Sequence, residues 1–276
     1  MTWKFWECDL FSLFKSQKEV LDEASIHWQF EVFAWALREF DADLFFSNTL
    51  LVTPTNEHFP GRVDSVEGMA SLIFDQVKQY AQLAHWPCQL VPRSDYDPSQ
   101  QGRVAIAGAL RGQEGIAQPD ADACLIIAYN PNQVGNPEAL IGELAYTLAY
   151  YLSTMAKEPP PGGSENWPHA CEILTVFLGF GLMQANTAFN FRQAGCGSCS
   201  SAAASRESHL SQYDLTYALA LFTALKSLPE KQVLRHLKKS LRGYFKAALR
   251  DILGREEVLE RLKLLSVSTL KPETAL

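Results

Sequence analysis

From Ile173 to Met183 the chain runs through roughly 11 residues without one charged side chain, well short of the roughly 20 apolar residues that cross a membrane. A segment apolar all round is stable only inside a protein, so the remaining sequence has to build walls around it. The means are there: of 276 residues, 47% are hydrophobic and 20% charged, which fits an ordinary globule and excludes disorder for the bulk of the chain. Residues 1–276 are long enough to bury a sizeable core as one unit. Within it we expect an N-terminal helical or mixed subregion over 1–85, a core over 86–190 and C-terminal helices over 210–265.

Hydrophobic spacing predicts an amphipathic helix from Gln17 to Phe40, with Trp28, Val32, Trp35 and Ala36 on its apolar face. A second is predicted along Val66, Met69, Leu72, Ile73, Val77 and Tyr80, with Asp64 as cap and Glu67 three residues on. The period then changes. Pro87 to Val91, Arg103 to Leu110 and Cys124 to Tyr129 are short β-prone runs between turn-forming clusters, expected to form about three strands of a small sheet, antiparallel where connections are short. Asn136-Pro137-Glu138 starts a helix that should reach about Met155. Further helices are predicted over 170–185, 212–227, 230–253 and 256–264, with a Ser-, Ala-, Gly- and Cys-rich surface loop over 193–208. The class expected is α+β, mainly helical.

Several chemistries are excluded by what is missing. The sequence has no GxxxxGK[ST] phosphate loop, no GxGxxG after a strand and no GxSxG elbow. A net charge of -7 argues against a nucleic-acid partner, and the apolar runs are too short for a membrane one. Lys4, Glu7, Asp9 and Lys15 interrupt any secretory h-region, and six scattered cysteines read as reduced thiols, so the expected location is the cytoplasm. Cys196 and Cys199 form one CxxC, to which His209, His169 or Cys171 would have to converge for structural zinc. Otherwise the six histidines never pair at i, i+4 on one predicted helix.

The informative segment is Leu140-Ile-Gly-Glu-Leu-Ala-Tyr-Thr-Leu-Ala-Tyr-Tyr-Leu152. It resembles the active-site helix of a gluzincin-type zinc metallopeptidase, and of small uncharacterised bacterial relatives that carry the same HExxH helix. Leu144-Ala145, Leu148-Ala149 and Tyr151-Leu152 match that setting. Tyr146 and Tyr150 stand where the histidines would be, and Thr147 where the glutamate would be. The ExxxD element that would supply the third ligand resembles Glu172-Ile-Leu-Thr-Val176, with Glu172 kept and Val176 in place of the aspartate. Phe177 to Ala188, Leu210 to Leu221 and Leu241 to Lys246 extend the likeness, which covers roughly residues 100 to 250 and implies a zincin-like core.

HExxH works because two imidazoles one helical turn apart bind Zn²⁺ while the glutamate between them acts as general base on the bound water. Tyrosine, with an ordinary pKa of about 10, is a poor ligand at neutral pH, and threonine is no base. The resemblance therefore implies a lost metal site, no catalytic residues and no cofactor. Tyr146 and Tyr150 share a helix face. Either they fill the former metal pocket and at least one donates to a buried Glu172, or both pack in the core while Glu172 faces water. The resulting expectation is a catalytically inactive, metallopeptidase-like protein that binds or scaffolds an extended peptide or a protein partner. Two alternatives stand beside it: a hydrolase that recruits Glu143, Glu172, the loop cysteines or His209, and a purely structural or oligomer-forming protein.

One charge feature stands apart. Between Lys231 and Arg250 there are seven basic residues and no acids, so against a total of -7 the remainder of the chain carries -14. They recur at three- and four-residue spacing opposite Leu234, Leu237, Leu241, Phe245 and Leu249, as a solvated helix face would, or as a docking surface for an anionic partner.

Overall fold

The computed structural model describes residues 20–117, 124–189 and 206–265. Cys8, Cys196, Cys199 and most of the expected 193–208 loop lie outside the described residues. The class is the mainly helical α+β one, and no described helix is long and apolar enough to cross a membrane.

Helix α1 (Glu23–Glu39) begins where Asp22 accepts the amide hydrogen of Ser25, and it buries Ile26, Phe30, Phe33 and Trp35. Its two tryptophans fasten the proline-rich turn that follows α4 further along the chain: Trp28 Nε1 donates to the carbonyl of Pro161 (3.0 Å) and Trp35 Nε1 to that of Glu158 (2.8 Å). Short α2 (Ala42–Asn48) is capped by Asp41. Helix α3 (Val66–Tyr80) is capped one residue later than expected, by Ser65 rather than Asp64. Ser65 is the last extended residue, and its hydroxyl accepts the amide of Gly68, which satisfies a donor the helix cannot.

The strands depart from expectation in pairing. β1 (Cys88–Pro92) and β4 (Leu125–Tyr129) run parallel, Cys88 opposite Leu125 through Pro92 opposite Tyr129. The 103–110 run does not join them; its Ile106–Ala107 (β2) pairs antiparallel with Ile116–Ala117 (β3) in a separate ribbon. Parallel strands need a long crossover, and residues 93–124 supply it. Leu125, Ile127 and Tyr129 of β4 are buried while Ile126 and Ala128 are half-buried, so the pair has one core face and one outer face.

From β4 the chain enters α4 (Pro137–Ser153), then α5 (Trp167–Thr175) and α6 (Gly181–Thr187). The apolar stretch is thus not one helix. Residues 176–180 form a wider, π-type turn around Gly179, whose φ is +101°. Val52 donates its amide to the Gly179 carbonyl (3.0 Å), and a Cβ on Gly179 would lie 2.1 Å from the Leu50 carbonyl oxygen. The segment at 50–52 therefore approaches so closely that only glycine fits, and the helix breaks to receive it. Two-residue β5 (Ala188–Phe189) and β6 (Arg206–Glu207) pair in parallel.

Helix α7 (Gln212–Leu225) starts with a reciprocal capping box between Ser211 and Asp214 and is buried along most of its length. The helix expected over 230–253 is two, α8 (Glu230–His236) and α9 (Lys239–Gly254), separated by extended Leu237 and Lys238. The amide of Lys238 is drawn onto the side-chain oxygen of Asn186 (2.9 Å), which holds the break. Helix α10 (Glu256–Leu264) ends the described chain. Buried apolar residues from Ile26 to Leu262 make one continuous cluster, with α4, α5, α6 and α7 at its centre and Phe45 stacked on Phe177 at 4.4 Å.

Candidate functional site

Helix α4 divides cleanly. Leu144, Ala145, Leu148, Ala149 and Leu152 are buried; Glu143, Tyr146, Thr147 and Tyr150 lie on the other side. Thr147 spends its hydroxyl inside the helix, donating to the carbonyl of Glu143 (3.0 Å). The Glu143 carboxylate pairs with Arg93 at the end of β1. Tyr150 is 43% exposed and its ring rests edge-on against Tyr151. Tyr150 therefore fills no interior pocket, because position 150 lies on the solvent side of the helix when 144, 148 and 152 face the core. Tyr146 is half-buried, its ring 6.3 Å from that of His209, which in turn meets the His169 ring edge-on at 5.7 Å.

Beside this row of rings lies Glu172, completely buried. A buried carboxylate is tolerable only with donors around it. The Ser208 hydroxyl donates to one oxygen (2.8 Å), as does the His209 amide (3.2 Å), and the Leu210 amide donates to the other (2.8 Å). Of the two arrangements weighed from sequence, the water-facing glutamate is excluded. The carboxylate fixes the segment that leads into the α7 capping box. Val176 is fully buried and apolar at the start of the wide turn, so it offers no oxygen where the resemblance would need one.

Sequence reasoning missed Ser208 and undervalued His169; the one available signal was the polar Ser-His-Leu-Ser run immediately ahead of a helix cap. Cys171, next to Glu172, is also buried, with its sulfur 3.3 Å from the Ser153 hydroxyl, and burial pushes its thiol pKa up to about 11. The Cys88 thiol is likewise pushed up to about 11 by burial. Neither thiol is a thiolate at neutral pH, so neither is a ready nucleophile.

The residues present do not fit a catalytic zinc. Tyr150 points to solvent, Thr147 is bonded to its own helix, and Glu172 already accepts three hydrogen bonds. Among the described residues no group of three or more His, Cys, Asp or Glu side chains is placed to hold a metal ion. His209 sits among aromatic rings, and its CxxC companions Cys196 and Cys199 are outside the described residues. No family model, curated protein or solved structure matches the chain.

Proposed function

We propose that this chain is a catalytically inactive, metallopeptidase-like protein that binds an extended peptide segment of a partner by strand addition. The observation that carries this reading is the outer edge of β4 beyond Cys124, whose own carbonyl accepts the Gly102 amide (3.2 Å). Leu125 donates its amide to the Pro87 carbonyl (2.9 Å), so the parallel register turns the backbone groups of 125, 127 and 129 toward β1 and those of Ile126 and Ala128 away from it. Among the described residues nothing pairs with the outward groups of Ile126 and Ala128. Unpaired strand edges are templates for another strand. The edge belongs to the strand that leads into α4, the helix whose metal-binding positions read Tyr146, Thr147 and Tyr150. A chain with that edge and without the general base would hold a peptide and leave it intact.

The test is selection of peptides from a random phage-displayed library on the immobilised chain, followed by titration with a synthetic selected peptide. The expected result is binding with slowed amide exchange at Ile126 and Ala128, no cleavage, and loss of binding in Ala128→Pro. That substitution removes an outward donor while leaving every β1–β4 hydrogen bond in place. Recovery of no peptide, or binding unchanged by Ala128→Pro, overturns the reading.

A further inference from the structure

We infer that the exposed side of α9, together with α8, docks an acidic helix of a protein partner. This surface is separate from the β4 edge and does not depend on it. Lys231, Arg235, Lys238, Lys239, Lys246 and Arg250 are exposed and Arg242 is half-buried. Among the described residues one of these seven has a carboxylate within ion-pair distance, Lys246 with Glu230 at 3.5 Å. Of the acids that follow in sequence, Asp251 is spent on Arg255 and the Tyr217 hydroxyl, Glu257 on Arg261 and Glu260 on Lys263. Along α9 itself, Lys239, Arg242, Lys246 and Arg250 rise one per turn, the spacing at which glutamates on a facing helix recur.

The shape of the face selects a helix rather than a flat or flexible polyanion. Beside the basic row run Ser240, Gly243 and Ala247, and a Cβ built on Gly243 meets no atom within 4 Å. A mid-helix glycine with nothing packed over it weakens α9 relative to alanine and gains the fold nothing. It leaves a shallow notch along which a second helix can approach closely. At the end of the row Leu253 is 49% exposed, an apolar anchor among the charges of the kind protein interfaces use. Single-stranded nucleic acid would call for aromatic platforms in the row. Tyr244 is turned instead to the opposite flank, its hydroxyl donating to the Val20 carbonyl (2.8 Å) and its ring against Tyr213.

The experiment uses the full chain and a fluorescent alanine–glutamate peptide of about 20 residues with glutamates along one helical face. The expected result is saturable binding that weakens at least about tenfold between roughly 50 and 200 mM salt, with the peptide gaining helix. Gly243→Leu fills the notch from a position where a Cβ meets no atom within 4 Å; it should abolish binding while the urea midpoint holds or rises. The pair Lys239→Glu and Arg250→Glu should abolish it too, and Arg261→Glu on α10 should not. Unchanged binding in Gly243→Leu overturns the proposal. So does salt-independent binding, or tighter binding to a mixed-sequence oligonucleotide or to phosphatidylserine vesicles than to the peptide.

Discussion

Among the described residues two charged side chains are sealed, and they are used differently. Glu172 is an acceptor among donors that include two backbone amides and a serine hydroxyl from 208–210. Arg111 is a donor among acceptors scattered over the fold. Its guanidinium, 2% exposed, reaches the carbonyls of Phe40 (3.0 Å) and Ala81 (3.2 Å) and the Thr49 hydroxyl (3.2 Å), and it lies over the Phe177 ring. Burial lowers its pKa to about 10, still far above neutrality, so the charge stays. Arg111 ties the ends of α1 and α3 and the residue after α2 to the β2–β3 connection. Glu172 ties the 208–210 segment to α5. The lesson is that a buried charge can be a general fastener or a local one, and that the resemblance to a metal ligand says nothing about which.

That contrast can be broken by substitution. Arg111→Ala should have the largest effect, a loss of about 4 kcal/mol in urea unfolding, because it opens a cavity and orphans two buried carbonyls. A loss under about 1 kcal/mol would mean water replaces the guanidinium and the fastening is not real. Glu172→Gln should lose less, about 2–3 kcal/mol, since the amide nitrogen turns a donor toward the 208–210 donors. Amide exchange should accelerate at His209 and Leu210 before it does anywhere in α3. Uniform acceleration would make Glu172 as global as Arg111.

Alkaline pH sharpens the picture around Glu172. The Cys171 thiol is held protonated up to about 11, and burial raises the Tyr217 and Tyr244 phenols as well. An unfolded cysteine ionises near 8.5, so between there and 11 the unfolded chain gives up protons that the folded chain keeps. Stability is therefore intact below about pH 8.5 and falls as pH rises, by about 2–3 kcal/mol at pH 10.5 from Cys171 alone. A urea midpoint that stays level or climbs over that range would contradict the burial. The smallest effect belongs to exposed Tyr150: Tyr150→Ala should change stability by no more than about 0.5 kcal/mol. A loss of several kcal/mol would restore it to a pocket.

The helices were legible because their causes are local. Asn136-Pro137 and the apolar period announce α4, and Ser211 with Asp214 announces α7. Their interruptions were not, because each is imposed from outside. Gly179 bends to accept the 50–52 segment, and Lys238 is pulled from the helix by Asn186, partners far away in sequence. The parallel pairing of β1 with β4 was hidden for a related reason, since both directions show the same alternation over five residues. At the site, Glu172 could be singled out as a carboxylate beside apolar neighbours. Its amide donors at His209 and Leu210 could not, because backbone amides have no letter in a sequence. Arg111 went unread altogether, as its carbonyl partners leave no pattern.

The helix bearing Tyr146, Thr147 and Tyr150 carries residues that do not fit a catalytic zinc, and Glu172 is a fastener. This is tested most directly by measuring transition metal per chain on protein purified without chelator or histidine tag, before and after incubation with Zn²⁺. The expected value at these residues is near zero in both samples; zinc released only by substituting Cys196 or Cys199 would belong to the CxxC and not to this helix. One tightly held zinc per chain, lost on substitution of Glu172, would contradict that expectation.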